Sequence, residues 1–181
     1  MSEKELKQKE AEEYQLNLVL KGIIELIKKY SSDPREISSA LENYMKATIS
    51  FVDTAVDTLV YEDQINDEYN SMYSALIEKK ATSLGVARTI KYILDLLNIK
   101  ANTYLLSRGN EGERILTYIV MAENCYIIDP VNSLIMDRTF CKKSAFYKDV
   151  QFIKLSDEFF KGKMDYFNEY SVEEKLKKNA F

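Results

Sequence analysis

Apolar and polar positions change rhythm along this chain. Residues 3–12 are nearly all charged or polar, and from Leu16 apolar side chains recur at Val19, Leu20, Ile23, Leu26, Ile27 and Tyr30. Steps of three and four lay one stripe along a helix, so the first element is predicted to be an amphipathic helix with those residues inward. "SSDPRE" interrupts it: Asp33 suits an N-cap, Pro34 a first helical position, and Glu36 the returning arm of a capping box. Ile37, Leu41, Tyr44 and Met45 then mark the buried face of a second helix.

The next stretch, "ATISFVDTAVDTLVYE", is rich in β-branched residues that favour strand, yet Ile49, Val52, Val56, Leu59 and Val60 keep helical spacing. We expect helix there, followed by a loop in "DQINDEYNS". Ala87, Ile90, Ile93, Leu94 and Leu97 form another helical stripe, with Ser83 able to cap its start and Asn98 near its end. This helix should be central and buried. From Lys100 the pattern shortens to "ANTYLLS", "RILTYIVM", "NCYIID" and "SLIM", separated by polar turns, which predicts an antiparallel meander. "VQFIKL" adds a strand, and "SDEFFKGKMDYFNEYSVEEKLKKNAF" one or two amphipathic helices. The expected fold class is α+β: N-terminal helices, one central and buried, packed on an antiparallel sheet, with a helical segment at the C-terminus.

Composition narrows the function. A chain of 181 residues without an internal repeat or linker fits one domain. A net charge of −4, with lysines interleaved among glutamates, supplies no basic field for nucleic acid. No apolar run is long enough to span a bilayer, and the opening residues lack the order of a signal peptide, so we expect a cytoplasmic protein with no membrane contact. There is no histidine, and the two cysteines, Cys125 and Cys141, are expected to stay reduced. The usual transition-metal ligand sets cannot be assembled from such a chain, and no cofactor is implied.

Several segments resemble the transglutaminase-like superfamily, whose papain-type triad is cysteine, histidine and aspartate. The resemblance is clearest in "SMYSALIEKKATSLGVA", where Ser71, Ala75, Leu76, Ser83, Gly85 and Ala87 follow the family pattern and Ser83 stands in the nucleophile's place. "ILDLLNIKANTYLL" is similar to the lead from the nucleophile helix into the first core strand. "ERILTYIVMAENCYIIDP" looks like the strand, turn and strand that carry the other two triad members. It puts Asp129 in the aspartate's place and Arg114 where histidine would be, with Leu116 and Cys125 at positions usually given to tryptophan. The resemblance implies a core over residues 35–138, an N-terminal helical extension over 1–34, and a C-terminal strand and helices over 139–181.

The departures decide the expected chemistry. A cysteine at a helix N-terminus is activated because the amides and dipole favour its thiolate while histidine takes the proton. Serine gains little from that setting, and a protonated arginine is no base. We therefore expect no enzyme: a degenerate triad at Ser83, Arg114 and Asp129, with Arg114 pairing Asp129, in a protein that binds a peptide or protein partner. One alternative is a serine hydrolase or acyltransferase in which Lys79 or Lys80 assists Ser83. Another is a structural or assembly protein whose likeness to the family is accidental.

The acid pairs Asp63 and Asp67, and Asp157 and Glu158, read as solvated residues. Tyr14, Tyr30, Tyr166 and Tyr170 cluster towards the ends with Phe159, Phe160, Phe167 and Phe181. Aromatics at helical spacing fill a core first, and the surplus on the terminal helices leaves a homo-oligomeric or partner interface open.

Overall fold

In the computed structural model of the chain, residues 1–52, 69–108, 115–122, 126–130, 136–137 and 150–154 are described. Helix α1 runs from Glu3 to Tyr30. It begins in the polar segment because Ser2 and Glu5 close a capping box: the Glu5 N–H donates to Ser2 Oγ at 3.3 Å, and the Ser2 N–H to Glu5 Oε2 at 2.5 Å. Leu16, Leu20, Ile24 and Ile27 form its buried stripe. Leu26 and Tyr30, expected inside, are 69% and 66% exposed. At about 100° per residue, a stripe centred on Ile24 turns both of them outward.

Helix α2, Pro34–Thr48, starts where its cap predicts, with the Asp33 carboxylate accepting the Arg35 N–H at 2.9 Å. The expected capping box is replaced by a relay. The Asp33 N–H donates to Ser31 Oγ at 3.0 Å, and the Ser31 hydroxyl donates to Glu36. Ile37, Leu41 and Met45 are buried on one face as expected.

The helix expected through "ATISFV" does not form. α2 ends at Thr48, Ile49 is extended, and strand β1, Ser50–Phe51, pairs in parallel with β2, Lys80–Ala81. Local β-branching prevails there over helical spacing. The rest of that stretch, from Asp53, lies outside the described residues. A π-helical turn over Ser74–Glu78 precedes β2 and closes on Lys79 at φ 59°, in the left-handed region.

Helix α3, Ser83–Leu96, is the predicted central helix, with Ile90, Ile93 and Leu94 at 0% exposure. Asn98 follows it at φ 56°, the left-handed residue that ends the helix. The meander follows: β3 Ala101–Arg108, β4 Ile115–Ala122, β5 Tyr126–Ile128, β6 Met136–Asp137 and, added on the far edge, β7 Val150–Lys154. The five strands are antiparallel in the order β6-β5-β4-β3-β7. α3 packs on β3 and β4, and α2 on β5. Tyr118, Val120, Ala122 and Ile128 of the sheet join the inner residues of the three helices in one core. The fold is α+β, as expected. The helices foreseen after Lys154, with their aromatic residues, lie outside the described residues.

Candidate functional site

The first turn of α3 is built around Thr82 and Gly85. Thr82 is the N-cap: its hydroxyl accepts the Gly85 N–H at 3.3 Å and donates to the Asn70 side-chain oxygen. The Thr82 N–H in turn donates to the Tyr69 carbonyl at 3.0 Å. This fastens residues 69–71 against the helix start so closely that only glycine fits at position 85. A Cβ there would lie 2.6 Å from the Tyr69 carbonyl oxygen and 3.3 Å from that of Ser71. Ser71 anchors the other side, its hydroxyl accepting the Ser74 N–H at 3.0 Å.

Ser83 is therefore the first helical residue and not the cap. Its side chain serves a different amide, because Oγ accepts the backbone N–H of Tyr118 in β4 at 3.1 Å. The register gives the reason. β5 pairs with β4 only as far as Ile128↔Val120, and N–H groups along a strand alternate between its two edges. The N–H of Tyr118 is the next one on the β5 edge, beyond the last paired residue, and Ser83 takes the place of the absent strand. Ser83 is 9% exposed and Tyr118 3%.

Asp129 follows Ile128 directly and is fully buried. Ser83, bound to Tyr118, and Asp129, next to the residue opposite Val120, thus meet the sheet at the same end of β4 and β5. Arg114 and Cys125 lie outside the described residues, as does the expected ion pair of Arg114 with Asp129. Leu116 lies in β4 opposite Ser107 of β3. The acid pairs and Cys141 also fall outside.

Among the described residues, Glu42 is brought to Asp129. It sits on the buried face of α2 at 1% exposure and accepts the Asp129 N–H on Oε2 at 3.4 Å. Burial, reinforced by the nearby Asp129 charge, pushes its carboxyl up to about 7; the amide hydrogen bond and Lys46 oppose that rise. Its Oε1 is buried without a hydrogen-bond partner among the described residues. Arg88 is 4% exposed on α3, and its charge acts on the phenol of Tyr118, which burial pushes up to about 12. Glu42, Arg88 and Thr82 were not singled out from the sequence. For Glu42 a signal was there: it occupies a core position between Leu41 and Met45, where a charge is out of place.

The two lysines considered as bases for Ser83 are turned elsewhere. Lys79 Nζ donates to the Tyr44 hydroxyl at 3.2 Å and stands over that ring. Lys80 Nζ stands 4.6 Å from the centre of the Tyr69 ring.

A second feature lies on the helical side. Between α1 and α2 is an apolar cleft of about 230 Å³, lined by residues that include Ile23, Leu26, Tyr30, Leu41 and Tyr44. Among the described residues, no group of three or more acidic or sulfur ligands is placed to hold a metal ion. Nor is any helix there long and apolar enough to cross a membrane.

No protein-family model matches the chain, and no curated protein matches it. Among solved structures, the crystal structure of a TGase is similar, with a TM-score of 0.46 and 15% identity. The similarity covers 67% of this chain and 32% of that one, so this chain spans about a third of that protein's length.

Proposed function

We propose that this protein is a catalytically inactive relative of the transglutaminase-like enzymes that works by binding a polypeptide. One observation carries the loss of catalysis: the Ser83 hydroxyl, in the nucleophile's place, is engaged in the backbone hydrogen bonding of β4. A serine nucleophile needs a base to take its proton. The chain has no histidine, and Lys79 and Lys80 are directed to tyrosines. The resemblance gives Asp129 the place of the third triad member, and the Glu42 carboxyl beside it is engaged with its backbone N–H. The binding half of the reading draws on the helical surface, where Leu26 and Tyr30 are exposed beside an apolar cleft.

Labelling with a fluorophosphonate serine probe tests the catalytic half. The wild type and Ser83→Ala should label equally weakly. Strong labelling that disappears in Ser83→Ala would establish a serine enzyme and end this reading.

A further inference from the structure

Beyond the last pair of β5, the sheet is finished by a helix side chain. Pairing ends at Ile128 on the β4 side, opposite Val120, and at Ile127 on the β6 side, opposite Met136. Asp129 comes next, and its N–H lies past both ladders. Glu42 of α2 meets it there, much as Ser83 of α3 meets the N–H of Tyr118. The contact joins residues 87 apart in the chain and closes one end of the packing of α2 on β5.

What closes it is a carboxyl with unfinished hydrogen bonding. Glu42 is 1% exposed, beside Leu41 at 1% and Met45 at 0%. Its Oε2 accepts the Asp129 N–H at 3.4 Å, whereas Oε1 is buried and has no hydrogen-bond partner among the described residues. A neutral acid tolerates that place. A carboxylate withdrawn from water needs several donors in its stead, and here one amide is offered.

The charges that act on Glu42, among the described residues, are Asp129 at the end of β5, buried, and Lys46, one turn further along α2 and exposed. The buried cation of α3, Arg88, acts on the phenol of Tyr118. The amide and Lys46 favour the charged carboxyl, while burial and Asp129 favour the neutral one and prevail. A group that holds its proton more tightly in the closed arrangement than in the open one makes opening easier as the pH rises. Position decides what opens. Freeing the Asp129 N–H from Glu42 breaks no pair of either ladder, whereas Ile90, Ile93 and Leu94 of α3 lie at 0% exposure in the core.

We infer that the junction of α2 with the end of β5 is a proton-operated latch, closed while the Glu42 carboxyl is neutral and opened locally when it is charged. Opening lets Glu42 and the Asp129 amide reach water while the helical core stays packed. The latch is independent of the reading of Ser83 and of the binding role given above to the helical surface.

Native-state hydrogen exchange of the full chain tests it, followed by NMR at about pH 5 and about pH 7.5 and corrected for the intrinsic rate of each amide. In the wild type the Asp129 amide should lose protection by at least about tenfold over that interval. At the higher pH its exchange should change little with low concentrations of urea, the mark of a small opening. The amides of Ile93 and Leu94 should instead follow the urea dependence of global unfolding. Glu42→Gln and Glu42→Leu carry no titrating group, and each should show the same Asp129 protection at both pH values. The latch is overturned if the wild-type amide is equally protected at both, if its urea dependence matches that of Ile93 and Leu94, or if the pH step survives in both variants. None of these results changes the expectation for serine-probe labelling, so the two proposals fail separately.

Discussion

The Ser83 hydroxyl and the Tyr118 amide are hydrogen-bonded at 3.1 Å, so a helix side chain completes the sheet where β5 runs out. Removing the acceptor leaves a buried N–H unsatisfied. Ser83→Ala should lower the unfolding free energy by about 1–3 kcal/mol, the usual cost of such a group. Urea denaturation followed by circular dichroism measures it. A variant as stable as the wild type would show that the hydrogen bond contributes nothing to the fold.

Thr82 makes the next prediction. It caps α3 and binds Asn70 at once, so Thr82→Ala should cost about 1 kcal/mol for the cap, with a further loss from Asn70. Thr82→Ser keeps the hydroxyl and should retain most of the stability. Equal losses in both variants would assign the effect to the methyl group.

Gly85→Ala should be the most damaging small substitution on α3. The added Cβ meets main-chain carbonyls at 2.6 and 3.3 Å, and backbone cannot step aside as a flexible side chain can. Overpacking of this kind costs about 3 kcal/mol. Thermal unfolding compared with that of Gly22→Ala gives the contrast, because a methyl group at Gly22 meets nothing within 4 Å among the described residues.

These residues also show how far the sequence could be read. The order of helices and strands was legible because the apolar period changes from helical to alternating near Lys100, and Asp33 and Pro34 announce the second helix. Two inner stripes were also visible, on α2 and α3. β1 was not, because Ser50 and Phe51 pair in parallel with residues far along the chain. On α1 the apolar character of Leu26 and Tyr30 does not mean burial, since both are exposed. Ser83 was expected to satisfy an amide, but that amide belongs to β4 and not to its own helix. Spacing along one chain does not reveal where a neighbouring strand will end.

Glu42 gives the protein a pH signature. Its folded pKa, about 7, lies above the ordinary carboxyl value of 4.5. The folded state therefore holds the proton more tightly, and this contribution is fully present below about pH 4.5. It is lost as the pH rises towards and through 7, so stability falls over that window. Glu42→Gln keeps the shape without the charge. Relative to the wild type it should gain about 2–3 kcal/mol above pH 7 and little at pH 4.5, the size expected from the shift. Urea midpoints across this range test it, and parallel profiles for the two proteins would exclude Glu42 as the source.

Hydrogen exchange at the Tyr118 amide, followed by NMR, reports directly whether the Ser83 hydroxyl is held by the sheet. In the wild type this amide should exchange slowly, like that of Val120, and in Ser83→Ala it should exchange at least about tenfold faster, the equivalent of about 1.4 kcal/mol. Rapid exchange already in the wild type would contradict the account, since the hydroxyl would then be open to chemistry at the start of α3.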